Sequence, residues 1–133
     1  VLLVPDFEVS TERAREMLPP KIDRLGAVAS CGNACTITAA FASGEYEKLR
    51  GAFTDHLHQP FRRPLIPFFD DVVTAAEEAG ALGAFISGSG STVAAVTLRD
   101  AENVAERMRA AASGNVRVII TTADNRGARI IIQ

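Results

Sequence analysis

GALGAFISGSGSTVAAVTL, residues 80–98, is the most informative stretch of this 133-residue sequence. Residues 84–87 and 92–98 favour β-strands, and the small residues Gly88-Ser-Gly-Ser91 lie between them. The pattern predicts two strands joined by a tight loop, which we call the glycine loop (Gly88–Ser91). Such a loop can direct several backbone N–H groups at one anion, such as a phosphate. It is also typical of an ordinary hairpin turn, and it has neither the lysine of a P-loop nor the third glycine of a dinucleotide fingerprint.

Composition narrows the class of protein. With 47% hydrophobic and 23% charged residues, the chain fits one globular domain spanning residues 1–133. The net charge of -2 and the scattered Lys and Arg residues give no basic surface, so no nucleic-acid partner is expected. We interpret the apolar runs as too short to span a bilayer, and because no charged segment leads into an apolar one at the start of the sequence, we expect no leader segment. The sequence therefore predicts a soluble, cytoplasmic protein without a membrane partner.

The remaining pattern alternates helices and strands. Strands are predicted at 1–7, 116–122 and 128–132, and helices at 11–18, 21–42, from Tyr46 towards Leu57, at 65–79 and at 101–112. This inventory, with a βαβ-like second half, predicts an α+β sandwich in which helices pack on an antiparallel sheet.

The helix at 21–42 is unusual because most of its side chains are small. Apolar and small residues at spacings of three and four predict a closely packed, buried helix ending at Gly44. The predicted inward face is Val28, Cys31, Cys35, Thr38 and Ala42. Two cysteines one turn apart in such a helix are more typical of buried thiols than of a disulfide or metal pair.

Several chemical sites can be weighed from residue types alone. A Ser/His/Asp triad built on Ser87 or Ser89 lacks the spacing of a nucleophile elbow. A metal site from Asp55, His56 and His58 has no further histidine to complete it, so no metal site is predicted.

Arg62 and Arg63 are better candidates for binding. They lie between Pro60 and Pro64 in an irregular, polar connection. A guanidinium held in such a frame can bind a carboxylate or phosphate through two hydrogen bonds, although helix-entry or surface charges are the alternative. Only one of two neighbouring side chains can easily point into a pocket.

Two segments together resemble the homoserine kinases of the GHMP kinase superfamily. His58-Gln-Pro-Phe-Arg62, followed by Leu65-Ile-Pro67, is similar to the His-Gln-Pro-Tyr-Arg and Leu-Ile-Pro signature of that family. Residues 80–90 resemble motif three of the superfamily. The opening VPDFEVST (residues 4–11) and the closing Asp124 with Gly127-Ala-Arg129 are also similar, in the same order, so the resemblance covers essentially the whole chain.

The resemblance implies a fold, a reaction and a set of site residues. It implies the ferredoxin-like two-layer sandwich of a GHMP kinase C-terminal domain, and ATP-dependent phosphorylation of L-homoserine on the threonine biosynthesis route. The glycine loop, residues Gly88, Ser89, Gly90 and Ser91, would face the phosphates. Arg62 would anchor the substrate carboxylate, with His58, Arg126 and Arg129 as further candidates.

The resemblance also implies what lies outside this sequence. Homoserine kinases carry an N-terminal domain with the motif Pro-x-x-x-Gly-Leu-Gly-Ser-Ser-Ala-Ala, which binds ATP and precedes a Mg²⁺-binding group. No such stretch occurs here. We therefore expect ATP and Mg²⁺ to be held mainly by that domain, and the fragment alone to be inactive.

Two departures and two alternatives stay open. The family usually has proline where this chain has Ser91, and the arginine of its Phe-Asn-Leu-Ser-Arg motif is missing after Asn33. Another GHMP kinase, such as a mevalonate or galactose enzyme, would share the glycine loop, and a non-catalytic binding or dimerisation module is the alternative of a different class. The oligomeric state, a homodimer included, is not fixed by the sequence.

Overall fold

The computed structural model describes residues 1–124, 126–128 and 130. The strands are β1 (Leu2–Pro5), β2 (Gly83–Ile86), β3 (Val93–Val96) and β4 (Val116–Ile119). The helices are α1 (Thr11–Glu16), α2 (Arg24–Ser43), α3 (Gln59–Arg62), α4 (Phe69–Glu78) and α5 (Ala101–Ala111), with 3₁₀ turns at Tyr46–Leu49 and Arg63–Leu65.

The four strands form one antiparallel sheet in the order β2-β3-β1-β4. In the register, Leu3 lies opposite both Val93 and Val118, which places β1 in the interior of the sheet. The helices that follow β1 lead into the β2–β3 hairpin, and α5 then leads into β4. This order is that of a ferredoxin-like α+β sandwich, which confirms the predicted fold class.

Helices α4 and α5 cover one face of the sheet. Val72 of α4 and Val104 and Met108 of α5 are fully buried against Leu3 and Val93 of the sheet. Period-two alternation sends the intervening strand residues to the opposite face, where Phe85 and Val96 lie. That face is not covered by α4 and α5, and it forms one wall of the cavity described below.

Several helix and strand boundaries differ from the prediction. Helix α4 begins at Phe69 rather than Leu65, because Pro67 disfavours helical backbone at Ile66. The helix predicted from Tyr46 is one 3₁₀ turn, and Gly51 follows it with a positive φ of 77°. The strands after the glycine loop and after α5 are shorter than predicted. Of the predicted strand 128–132, Ala128 and Ile130 are not in a strand, and the other residues lie outside the described part of the chain.

The prediction of a buried face on α2 was wrong. Val28 is 65% exposed, and Cys31, Cys35, Thr38 and Ala42 are exposed too. The side of α2 that packs against the rest of the domain contains Ser30 and Ala40 instead. A hydrogen bond of 3.0 Å, which Ser30 Oγ accepts from the His56 N–H, helps to fix this orientation of the helix. Small side chains give every side of this helix a similar hydrophobicity, so the spacing could not identify the inward face. The helix does end at Gly44, as predicted, in left-handed backbone.

The exposed surface of α2 carries no charge. No Asp, Glu, Lys or Arg lies between Arg24 and Glu45. The helix is 20 residues long, and an 18-residue stretch of it has a mean hydropathy of 1.4, so by length and composition it could cross a membrane, contrary to the expectation that every apolar run is too short. The hydrogen bonds from α2 to residues 54–56 show that one side of it packs on its own domain.

Candidate functional site

A cavity of about 610 Å³ lies between the open face of the sheet, helix α2 and the segment that ends in α3. We call it the central cavity. Its walls are mostly apolar, with Ile37, Phe41, Phe53, Phe85 and Val96 among them. Polar groups reach it from Asn33, Asp55, His58, Gln59, Arg62 and Gly88. An apolar cavity with a few convergent polar groups is the usual form of a small-molecule site.

The carboxylate of Asp55 organises the segment that carries the polar groups. It accepts hydrogen bonds from the backbone N–H groups of Leu57, His58 and Gln59, at 3.0, 2.6 and 2.6 Å. Partial burial alone would raise the pKa of Asp55, but these three hydrogen bonds and the nearby His58 hold it below its usual value. The carboxylate therefore stays ionised at neutral pH and serves the backbone at the start of α3.

Arg62 brings a positive charge to the cavity beside the glycine loop. Its Nη1 donates to the Gly88 carbonyl at 3.1 Å, and its Nε donates to the Ala14 carbonyl at 3.3 Å. Among the described residues, no carboxylate lies within ion-pair distance of this guanidinium. Because an arginine has five N–H groups, three remain for a ligand. Arg63 lies outside the cavity, with its Nη1 3.5 Å from Asp70.

The glycine loop is the tight hairpin turn between β2 and β3. The Gly90 N–H closes the turn on the Ser87 carbonyl at 3.2 Å, and Gly88 and Gly90 have positive φ angles of 64° and 96°. In the described part of the chain, the backbone N–H groups of Gly88, Ser89 and Ser91 have no hydrogen-bond acceptor. Of the four loop residues only Gly88 lines the central cavity. The Ser91 side chain is buried, and its Oγ donates to the Phe7 carbonyl at 2.5 Å, so this hydroxyl holds the loop to the β1–α1 connection.

The other candidates are distributed differently. His58 lines the cavity, with its Nδ1 3.7 Å from Asp55. His56 instead contacts α2, where its Cβ limits the space beside Gly26. Arg126 is exposed and does not line the cavity, while Arg129 lies outside the described residues. Within residues 1–124, 126–128 and 130, no cluster of His, Cys, Asp and Glu could hold a metal ion.

Gln59 and Asn33 are polar residues of the site that were not among the predicted ones. The Gln59 side chain accepts from the Ile86 N–H at 2.8 Å and donates to the Phe53 carbonyl at 3.1 Å. Asn33 donates to the Thr54 carbonyl at 2.7 Å from the wall of the cavity. Gln59 belongs to the His58–Arg62 segment, and its place three residues before Arg62 was the feature of the sequence that could have indicated its role. Asn33 was noted only for the arginine missing after it.

Comparison with known proteins identifies the family. The family profile described as "GHMP kinases C terminal" matches residues 37–114, which is more than half of the chain. The chain belongs to the GHMP kinases. As a GHMP kinase domain it contains the glycine loop and α3 within the matched region, so the two features at the central cavity lie in the part that defines the family.

Similar curated proteins and a solved structure have the same name. A homoserine kinase of Clostridium botulinum is 38% identical over 98% of this GHMP kinase domain and 45% of that protein, and one of Clostridium acetobutylicum is 41% identical over the same shares. The crystal structure of homoserine kinase from Cytophaga hutchinsonii matches with a TM-score of 0.77 and 37% identity, over 83% of this chain and 36% of that one. The domain thus spans less than half the length of the curated relatives it matches.

Proposed function

We propose that this domain is the C-terminal part of an ATP-dependent homoserine kinase, which phosphorylates the hydroxyl of L-homoserine to O-phospho-L-homoserine for threonine biosynthesis in the cytoplasm. The observation that carries the proposal is the position of Arg62, which has free N–H donors in an apolar cavity and contacts the glycine loop directly. The names of the relatives support the same substrate.

In this proposal the guanidinium of Arg62 binds the α-carboxylate of homoserine. A charge-assisted pair in a partly dehydrated cavity is stronger than an exposed one, because water competes less for the partners. Phe53 and Phe85, whose rings stack 5.0 Å apart, provide apolar walls in that region, and these walls would limit the water around a bound substrate. The substrate hydroxyl would then lie towards the glycine loop.

The glycine loop would stabilise the transferring phosphoryl group. Three backbone N–H groups of the loop have no internal acceptor and are available to an anion. Such donors would add to the positioning and electrostatic stabilisation on which phosphoryl transfer depends. When bound, Mg²⁺ and ATP supply the charge neutralisation and the phosphoryl group. Since the described residues provide no cluster for a metal ion, we propose that the N-terminal half of the longer protein holds both.

The same N-terminal half would cover the uncharged surface of α2. Leu25 is 73% exposed and Val28 65% exposed, and an apolar surface of this extent on a helix is typical of a contact between parts of a protein. The curated relatives are more than twice as long as this domain, and this length supports a partner for that surface within the same longer chain.

Thiol labelling of the longer protein tests this contact, since Cys31 and Cys35 are exposed on α2 in the domain described here. We expect a maleimide to modify both thiols at least about tenfold more slowly in the folded longer protein than after denaturation, because the N-terminal half covers them. Peptide mass spectrometry would assign each site, and Val28→Asp should speed the labelling. Full reactivity in the folded protein would contradict the contact. Protection that disappears on dilution to the monomer would assign the surface to a second copy instead.

An activity assay tests the proposed function itself. The longer protein, given ATP, Mg²⁺ and L-homoserine, should form O-phospho-L-homoserine, as detected by mass spectrometry. The 133-residue domain alone should form none above a control without protein. Product from the isolated domain would show that it holds the nucleotide by itself. Phosphorylation of mevalonate or galactose but not homoserine would assign the chain to another GHMP kinase, and no product at all would favour a non-catalytic module.

A further inference from the structure

We infer that Gln59 is a positioning residue, which holds the segment carrying Arg62 at a fixed distance from the glycine loop. The inference rests on the proposed function for its kinetic consequence, but its structural content stands on the contacts of Gln59 alone. The central observation is that Gln59 and Arg62, one helical turn apart on α3, both bond to the same end of β2.

The Gln59 contact uses a backbone group that the sheet leaves free. Strand β2 lies at the edge of the sheet, and the Ser87 N–H is bonded to Thr92 in the hairpin. Neighbouring residues of an antiparallel edge strand alternate in direction, so the Ile86 N–H points away from β3. The Gln59 Oε1 accepts this N–H at 2.8 Å.

The second half of the same amide fixes where Gln59 stands. Its Nε2 donates to the Phe53 carbonyl at 3.1 Å, so the side chain is held at both ends and its orientation is determined. Two residues after Ile86, the Gly88 carbonyl accepts from Arg62 Nη1 at 3.1 Å. Because Gln59 holds Ile86 in place, the Gly88 carbonyl stays within hydrogen-bond distance of Arg62. The distance between the guanidinium and the glycine loop is thereby fixed.

The other end of β2 supplies a matched control. Arg50 Nη1 donates to the Ala81 carbonyl at 3.0 Å, just before the start of β2. Arg50 does not line the central cavity. Its replacement therefore removes a tether of the same kind from the same strand, at the end remote from the glycine loop.

Kinetics of the longer kinase would test the inference. We expect Gln59→Met to lower kcat/KM for homoserine at least about tenfold, because a shift of about 1 Å in a reacting group can cost 100-fold. Arg50→Met should change it less than about threefold. In an Arg62→Ala background, Gln59→Met should add less than about threefold, since coupled residues are not additive. Additive losses, or equal losses from Gln59→Met and Arg50→Met, would overturn the inference.

Amide exchange gives a readout that needs no activity. The Ile86 N–H of the longer protein should exchange at least about tenfold faster in Gln59→Met than in the unchanged protein. Gln59→Glu keeps an acceptor for the Ile86 N–H but loses the donor to Phe53. Its Ile86 exchange rate should therefore lie between those of Gln59→Met and the unchanged protein. If Ile86 is equally protected in all three, Gln59 does not hold the strand, whether or not the protein phosphorylates homoserine. If wild-type protein is inactive on homoserine while Ile86 behaves as expected, the proposed function fails and the tether stands.

Discussion

Arg62→Ala in the longer kinase is expected to raise the KM for homoserine by roughly 30- to 1000-fold. Truncating one partner of a charge-assisted pair costs about 2 to 4 kcal/mol when the charge left behind is buried, as we expect for the homoserine carboxylate in the cavity, and each 1.4 kcal/mol is about tenfold in affinity. The substitution removes the cavity charge that has no carboxylate partner among the described residues. It also frees the carbonyls of Ala14 and Gly88, so kcat should fall by a smaller factor.

Arg63→Ala is the matched control for Arg62. Arg63 is the next residue and carries the same charge, but it is exposed and pairs at 3.5 Å with Asp70 on the surface. Because Arg63 lies outside the central cavity, its loss should change the KM less than about threefold, and an exposed pair of this kind contributes only about 0 to 1 kcal/mol to stability. Steady-state kinetics with varied homoserine would measure both. Equal effects of the two substitutions would show that Arg62 does not bind the substrate.

Gly88→Ala is expected to lower kcat at least about tenfold while the protein remains folded. A methyl group on Gly88 would meet no atom within 4 Å, so it adds only the strain of its φ of 64°, roughly 1 kcal/mol. A domain with several kcal/mol of stability tolerates that cost. The same strain twists the N–H groups of Gly88 and Ser89 that would face the phosphoryl group, where misplacement by about 1 Å can cost 100-fold.

Gly44→Ala is the control for backbone strain. Gly44 also has a positive φ, of 73°, and an added Cβ would meet no atom within 4 Å, as at Gly88. Gly44 lies at the end of α2 and does not line the cavity. Both variants should lower the melting temperature by a few degrees, as measured by calorimetry, and only Gly88→Ala should lose turnover. A normal kcat for Gly88→Ala would assign the loop to a structural turn. Gly90→Ala is a less clean test, since its Cβ would lie 3.3 Å from the buried Ile66, so its loss of stability should be larger.

The sheet and its two covering helices could be predicted because their sequences are strongly patterned. Helix α5 starts where Asp100 caps it, with its Oδ1 accepting from the Asn103 N–H, and Val104 and Met108 face the core as their spacing indicates. The hairpin around Gly88 was predicted from β-favouring runs on either side of small residues. In these elements the hydrophobic period and the cap or turn residues agree, so each of them alone predicts the same helix or strand.

The orientation of α2 and the role of Gln59 could not be predicted from spacing. In α2 a run of mostly small residues does not identify the inward face. Long-range contacts set it: Ser30 and Asn33 bond to a segment more than 20 residues away, and Ala40 packs against Leu49 and Leu82. Gln59 is informative only when Ile86 and Phe53 are brought beside it by the fold. Both depend on long-range contacts between residues that no local pattern connects. The pairing of Arg62 with Gly88 belongs to the same class.

The most direct test is a crystal structure of the longer kinase with L-homoserine and a non-hydrolysable ATP analogue. The homoserine carboxylate should lie within hydrogen-bond distance of the Arg62 guanidinium, roughly 3 Å, inside the central cavity. Its hydroxyl should face the terminal phosphate beside Gly88. Homoserine bound outside this cavity, or a carboxylate held by other residues with Arg62 turned away, would contradict the account.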